Sequence, residues 1–451
     1  MKIAILTLGC DKNTVDSEYI AGLLSQKGHR IFSLDTKEPF DVLVINTCGF
    51  IDAAKEENID AITHWAEEKN RRLREDLPCF RLYVVGCLAE RYGPALVRLI
   101  PEIDGMAGVG RWQDIARMID KPPDSHVPLL FSFPGERPLV HITKPMPRLK
   151  LDRLPYAFLK IADGCSHRCS FCAIPRIKGA YRSVPRKILL REVEDLVKKR
   201  VREINLVAQD VNAYGPDLYK NYGLCELIQD MTSVPGKFWI RILYFYPRKF
   251  PEKLLSLFRE NNKLCPYIDI PLQHVSPSVL KRMGRPPDVS PILNTLTQYR
   301  KEIPNLSIRT TFIVGFPGES RADFNALISL VKSFRFDRLG AFTYSREGGT
   351  PAEKLASRVS PRTAKTRLEL LMLAQAEISR EQNMALIGKT CEILIEDVLP
   401  DRNLYRGRTM RDAPEVDGWV YVTSAKKLKP GQFVRVRITK ASVYDLYGFK
   451  Q

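Results

Sequence analysis

Three short apolar runs in the first 120 residues, separated by stretches of helical period, set the opening rhythm of the chain. The runs are KIAILTLGC (residues 2–10), FDVLVINTCGF (40–50) and CFRLYVVGC (79–87), each of strand length, while intervening stretches such as DSEYIAGLLSQKG space their apolar residues as a helix does. Strand and helix in repeated succession predict a parallel sheet with right-handed crossovers. Each run carries a cysteine at or just beyond its carboxyl end: Cys10, Cys48 and Cys87. In a parallel sheet those ends lie along one edge, where ligand sites form, so the three cysteines are expected there together. Cys79 begins its run and belongs at the opposite end; we read it, with Cys225, Cys265 and Cys391, as a small buried hydrophobe.

The pattern then breaks. Residues 121–150 are rich in proline and follow neither period, which predicts a linker. From residue 151 a second series starts, with six strand candidates: YAFLKIADGC (156–165), REINLVAQD (202–210), WIRILYFYP (239–247), YIDIPLQH (267–274), SIRTTFIVGFPG (307–318) and RLGAFTYS (338–345). Helical stretches separate successive members. Six such units are too few for a closed eight-stranded barrel and suit an open, partial one, with its active site at the carboxyl ends of the strands. A helical run over 361–388 closes this region, and residues 389–451 turn to short alternating strands that suggest a small β-barrel of the OB type. The expected fold class is therefore α/β, in three parts: a parallel-sheet domain over residues 1–120, a partial (βα)6 barrel over 151–388 and an all-β barrel over 389–451.

Composition narrows the setting. A chain of 451 residues has room for about three domains. No stretch approaches the roughly eighteen apolar residues of a membrane span, and the apolar run before Cys10 is too short for a secretory signal, so a soluble protein of the reducing cytoplasm is expected. Seventy Lys and Arg against 52 Asp and Glu give a formal charge of +18, which favours polyanionic neighbours such as RNA or a ribonucleoprotein. The last 63 residues share the bias, with twelve basic and eight acidic residues. Arg406, Arg408, Arg411, Lys426, Lys427, Lys429, Arg435 and Arg437 are candidates for phosphate contact there. In DAPEVDG, the acids Asp412, Glu415 and Asp417 are expected to interrupt that basic surface.

The densest chemistry lies in DGCSHRCSFCAIPRIKGAYRSVP, residues 163–185, where Cys165, Cys169 and Cys172 make a C-x3-C-x2-C spacing at the end of the first barrel strand. A structural zinc site closes with four ligands, and His167 lies too near its neighbours in sequence to be a well-spaced fourth. Three thiolates on a cubane iron–sulfur cluster leave one iron open. This loop resembles that of the radical SAM superfamily, in which the open iron chelates S-adenosylmethionine. The resemblance implies further contacts to that cofactor: Phe171 against the adenine, Gln209 and Gln273 at strand ends, and Arg309 with Thr311 on the strand that runs into FIVGFPGE (312–319).

With the second triplet Cys10, Cys48 and Cys87, and the small C-terminal barrel of TRAM type, nearly the whole chain resembles the methylthiotransferases. That resemblance implies two [4Fe-4S] clusters, one on Cys10, Cys48 and Cys87 and one on Cys165, Cys169 and Cys172. It implies that S-adenosylmethionine serves both to methylate sulfur at the first cluster and to generate a radical at the second, with an electron from a reductant such as flavodoxin or ferredoxin. No protein side chain then needs to be a catalytic acid or base. LGCDKNTVDSE (8–18), NTCGFIDAAKEENID (46–60), YIDIPLQHVSPSVLKRMGRP (267–286) and DAPEVDGWVYV (412–422) are similar to the branch that modifies the β-carbon of an aspartate in a small-subunit ribosomal protein, although Asp11 replaces that branch's usual proline. Modification of an adenosine beside the anticodon of tRNA is the second reading, which the basic C-terminal domain would suit. A non-enzymatic RNA-binding protein with structural metal is the third; it predicts zinc and a colourless protein.

Overall fold

The computed structural model describes residues 1–34, 38–120, 129–130, 144–400 and 403–451. The chain divides into two compact units: residues 1–153, 160–188 and 345–353 form the first, and residues 154–159, 189–344 and 354–451 the second. Among the described residues no helix is long and apolar enough to cross a membrane.

In the first unit, the strands are β1 (Lys2–Thr7), β2 (Arg30–Ser33), β3 (Val42–Thr47), β4 (Arg81–Gly86), β5 (Gly105–Ala107) and β6 (Leu129–Leu130), and the helices are α1 (Asp11–Gln26), α2 (Asp52–Arg74), α3 (Cys87–Leu99) and α4 (Trp112–Asp120). The strands pair in parallel in the order β2-β1-β3-β4-β5-β6. Every residue of β3 is buried, as expected of a central parallel strand covered on both faces. Leu43, Ile45, Leu82 and Val84 pack with Ile62 and Ala66 of α2 and Leu88 and Leu96 of α3 in one core. The periodicity did not reveal β2, β5 and β6. They are two to four residues long, and β2 is only partly buried, so none has a continuous apolar run to betray it. Leu129–Leu130 pairs with β5 inside the stretch expected to be a linker; residues 121–128 and 131–143 of that stretch lie outside the described residues. Cys79 is exposed and precedes β4, which corrects its reading as core.

The chain continues through β7 (Tyr156–Lys160), β8 (Ala162–Asp163), α5 (Ile174–Lys178), β9 (Arg182–Ser183), α6 (Arg186–Lys198), β10 (Glu203–Val207), α7 (Leu224–Ser233), β11 (Trp239–Ile242), α8 (Leu254–Glu260), β12 (Tyr267–Asp269), α9 (Pro277–Arg282), α10 (Ser290–Glu302), β13 (Ser307–Val314), α11 (Arg321–Phe334), β14 (Arg338–Thr343) and α12 (Pro361–Met384). In the second unit, β7, β10 and β11 form one three-stranded sheet and β12, β13 and β14 another, with a parallel bridge from Ile240 to Leu264 between them. This is the expected partial barrel. The last strands, β15 (Thr390–Val398), β16 (Leu404–Arg408), β17 (Val420–Thr423), β18 (Phe433–Ala441) and β19 (Leu446–Lys450), close a five-stranded barrel in the order β15-β16-β17-β19-β18 around Ile393, Ile395, Val422, Val436 and Ile438.

Candidate active site

β1, β3 and β4 are neighbours in the sheet, and their carboxyl ends deliver the three cysteines of the first triplet. Cys48 follows β3 directly, Cys87 is the first residue of α3 after β4, and Cys10 is the N-cap of α1 three residues past β1. The backbone there is packed to contact: a Cβ on Gly9, whose φ is +95°, would stand 2.3 Å from the Cβ of Cys48, and one on Gly49 would stand 2.9 Å from the backbone of Leu88. Three asparagines hold the edge. Asn13 donates to the carbonyls of Leu8 (2.8 Å) and Thr47 (3.0 Å), Asn46 donates to the carbonyl of Asn13 (2.9 Å), and the Asn58 side chain accepts from the Cys48 N–H (2.9 Å). Sequence reasoning gave none of them a role; an amide before or after a cysteine carries no periodic signal.

Burial pushes the Cys48 thiol up to about 11, with Cys10 beside it adding to the effect. Burial raises Cys87 as well; Lys178 works against this, while Cys10 and Cys48 add to it. The three thiols therefore lie within electrostatic reach of one another, and a cationic metal core is what would favour their thiolate forms.

The second triplet is carried on a loop whose neck is closed by the antiparallel pair β8 and β9. Cys165 donates its N–H to the Gly179 carbonyl (3.0 Å) and Cys172 to that of Cys169 (3.2 Å). Cys165 is buried; Cys169, Cys172, Phe171 and His167 are partly exposed. Beneath the loop is a buried ionic cluster: Lys160 donates to Asp163 (2.9 Å) and pairs with Asp16, Lys178 pairs with Asp163 (3.2 Å), and the Lys160 ammonium lies 4.9 Å from the Trp112 ring centroid. Burial opposes the charge of Asp163, but Lys160 and Lys178 outweigh it and hold the carboxyl well below its ordinary range. α5, two residues past Cys172, packs against α3, which begins at Cys87. Both triplets thus belong to one compact unit.

The other expected cofactor residues lie in the second unit. Gln273 and Tyr244, at the ends of barrel strands, adopt φ of +71° and +68°, conformations that non-glycine residues hold only under constraint. Gln273 bonds through its backbone to Thr311 (2.8 Å) and Ile313 (2.8 Å), while its side-chain oxygen is buried without a hydrogen-bond partner. Both amide atoms of Asn212, just past β10 and near Gln209, are buried and unpartnered too, a residue that the sequence reading passed over. Such orphaned amides are the kind of groups that a polar cofactor satisfies. Arg309 has other work. Its guanidinium donates to Asp269 (3.0 Å) and Thr311 (3.3 Å) and approaches Asp417 (3.6 Å).

Asp417 belongs to a segment that the structure uses unexpectedly. Tyr156, Glu203, Tyr267 and Arg338 are the first residues of β7, β10, β12 and β14, and each is met from the C-terminal barrel: Glu415 accepts from Tyr156 (3.0 Å), Arg408 donates to Glu203 (2.7 Å), Asp417 accepts from Tyr267 (2.7 Å), and Asp412 accepts from Arg338 Nε (3.1 Å). Residues 408–417 therefore plug the amino-terminal end of the partial barrel. Asp412 and Asp417 of DAPEVDG turn inward and do not interrupt an outward basic surface, Glu415 alone of its acids is exposed, and Arg408, fully buried between Glu203 and Glu396, is no phosphate ligand. Arg411 is likewise paired, with Asp337 (2.8 Å).

Among the described residues, no three His, Cys, Asp or Glu side chains stand close enough together to hold a single metal ion. An iron–sulfur cube is several ångströms across and holds its thiolates further apart, and the all-thiolate donor sets are those such a cluster takes.

The family model of the radical SAM superfamily matches residues 159–331, that of uncharacterized protein family UPF0004 residues 2–108, and that of the TRAM domain residues 387–449. Among solved structures, the radical S-adenosylmethionine methyltransferase TsrM from Kitasatospora setae, with cobalamin and a [4Fe-4S] cluster bound, superposes with a TM-score of 0.57 at 13% identity over 78% of this chain and 76% of that one. The cobalamin-dependent radical enzyme OxsB gives 0.53 at 12% identity over 83% and 56%. These two share the fold. A partial barrel of six strands with a three-cysteine loop after the first defines a radical SAM enzyme. At the level of sequence, the ribosomal protein uS12 methylthiotransferases RimO of Carboxydothermus hydrogenoformans and of Thermoanaerobacter are each 43% identical over 99% of this chain and 99% of their own, and that of Clostridioides difficile is 41% identical over 99% and 98%. The chain belongs to the RimO family of uS12 methylthiotransferases. It is a radical SAM methylthiotransferase, an enzyme whose cofactors are S-adenosylmethionine and two [4Fe-4S] clusters.

Proposed function

We propose that the enzyme transfers a methylthio group to the β-carbon of an aspartate in ribosomal protein uS12. The full-length likeness to uS12 methylthiotransferases carries the choice of target, and the gathering of Cys10, Cys48 and Cys87 at three adjacent strand ends, in the same compact unit as Cys165, Cys169 and Cys172, supports the chemistry. Two sets of three thiolates suit two clusters, each with one iron free for a non-protein ligand. When bound, the cofactors supply a radical able to take hydrogen from an unactivated carbon, and the sulfur to be delivered. The chain's own part is to hold and orient. Cys165, Cys169 and Cys172 hold the cluster that presents S-adenosylmethionine; Cys10, Cys48 and Cys87 hold the other; Phe171, Gln209, Gln273 and Thr311 contact the nucleoside; and Arg309 fixes Thr311 from below. Asn212 joins them. The domains follow the three matched regions, with borders near residues 120, 150 and 388. A flavodoxin or ferredoxin supplies the electron in the cytoplasm, and Lys426, Lys427, Lys429, Arg435 and Arg437, all on the C-terminal barrel, orient the enzyme on ribosomal RNA.

The test is purification without oxygen followed by iron, sulfide and zinc analysis, then reaction with uS12 and intact-mass spectrometry. About eight irons per chain and a uS12 heavier by one methylthio group in place of a hydrogen are expected. Stoichiometric zinc, or modification of tRNA with uS12 unchanged, rejects the reading.

A further inference from the structure

The segment 345–353 follows β14, yet belongs to the same compact unit as the six cysteines, and it is tied down at both ends. On one side, the buried Glu347 accepts from Arg91 (2.8 Å) and Lys55 (2.9 Å) and from Ser345 (2.7 Å). Arg91 lies one helical turn after Cys87 on α3 and also donates to the carbonyls of Gly49, next to Cys48 (2.8 Å), and Gly348 (2.8 Å). Ser345 in turn accepts from the N–H of Asp52 at the start of α2 (3.2 Å). On the other side, the Ala352 N–H donates to the carbonyl of Ser170, between Cys169 and Cys172 (2.8 Å). Gly349, with φ +77°, lies so close to Arg176 of α5 that a Cβ there would stand 2.1 Å from its Nη1. Five residue steps lead from Glu347 to Ala352, so the strap spans at most roughly 18 Å, and neither triplet can move far from the other while both ends hold.

We propose that Glu347 is a positioning residue: by receiving Arg91 and Lys55 beside the first triplet while the residues after it grip the Cys165–Cys172 loop, it fixes the separation of the two cluster sites. This rests on the two-cluster reading above. Its chemical meaning is coupling. A carbon radical formed at one site must meet sulfur held at the other, and misplacement by about 1 Å can cost on the order of 100-fold in such a step. Cleavage of S-adenosylmethionine needs only one site and tolerates the shift.

The experiment compares the wild-type holoenzyme with Glu347→Gln, which keeps the shape but loses the charge, and with Gly349→Ala, which disturbs the strap from its other end. Three quantities are read: iron per chain, the dipolar coupling between the two reduced clusters by pulsed electron paramagnetic resonance, and 5'-deoxyadenosine formed per methylthiolated uS12. Full iron, an altered dipolar coupling and a rise of roughly tenfold or more in deoxyadenosine per product are expected in both variants. Unaltered coupling with an unaltered ratio overturns the proposal even if the melting temperature falls, because that is what a merely structural residue does. Loss of iron from Glu347→Gln overturns it as well, since a positioning residue leaves both clusters bound. A wild-type enzyme without two clusters instead rejects the two-cluster reading.

Discussion

Two buried charge clusters do different work in this protein. In the first unit, Lys160, Lys178, Asp16 and Asp163 balance two against two beneath the cysteine loop. In the second, Arg241, Arg408, Glu203 and Glu396 also balance two against two, and there they seal the foot of a barrel. Burying four charges is costly in either place unless each is paired. The first cluster borders thiols, so its lysines act on a reactive site. Lys178 is within electrostatic reach of Cys10, Cys48 and Cys87. The second also lies within electrostatic reach of a buried thiol, Cys265, but that thiol belongs to neither triplet. What differs is the neighbour, and the comparison teaches that buried ion pairs by themselves do not mark an active site.

The sharpest way to break the comparison is to remove the chemistry from one side. Replacing Cys10, Cys48 and Cys87 together by alanine should abolish methylthiolation, halve the iron and leave S-adenosylmethionine cleavage intact; product at the wild-type rate would make that triplet structural. Next in size is Arg408→Met. It strands Glu396 and leaves Glu203 with Arg241 alone in the foot of the barrel, and should cost about 3–5 kcal/mol of stability, with iron content in the surviving folded protein unchanged; calorimetry beside iron analysis reads both, and loss of iron would mean that the two buried charge clusters are not independent. Gly9→Ala should cost on the order of 1–3 kcal/mol through its backbone conformation alone and should lower iron at the first triplet, because the new Cβ meets Cys48. Wild-type iron in that variant would show that the cysteine edge is looser than its packing indicates.

The smallest effect is one of pH. Burial opposes the charge of Asp412, yet Arg338 and Thr409 hold its carboxyl below the ordinary value. A depressed carboxyl contributes stability that is complete above the unfolded value of about 4 and is lost as pH falls through the lower folded value. The stability difference between the parent and Arg338→Met should therefore narrow from pH 7 toward pH 3 in urea titrations. A gap that stays constant would deny the pairing.

Much of the site could be read along the chain because its residues are placed by backbone regularities. Cys10, Cys48 and Cys87 each end an apolar run, and parallel pairing of β1, β3 and β4 carries them to one edge whatever the side chains around them do. The C-x3-C-x2-C loop is local and needs only the turn that bears it. Arg408, Asp412 and Asp417 were misread for the opposite reason. Their charge is visible in the sequence, but whether an arginine faces water or a buried glutamate depends on residues such as Glu203, some 200 positions away. Asn212 and Glu347 were in the same position: a lone amide or carboxylate has no period, and its meaning comes from partners that only folding supplies.

The sequence by itself determined the order of the three parts, the two cysteine triplets and the family to which they point, because hydrophobic period and ligand spacing act over short stretches and survive without a partner. Tertiary structure alone decided that both triplets share one compact unit, that residues 345–353 strap them, and that Asp412 and Asp417 of DAPEVDG plug a barrel instead of lining a surface. Those outcomes depend on the direction of individual side chains and on long-range pairing of buried charge, and no local pattern encodes either.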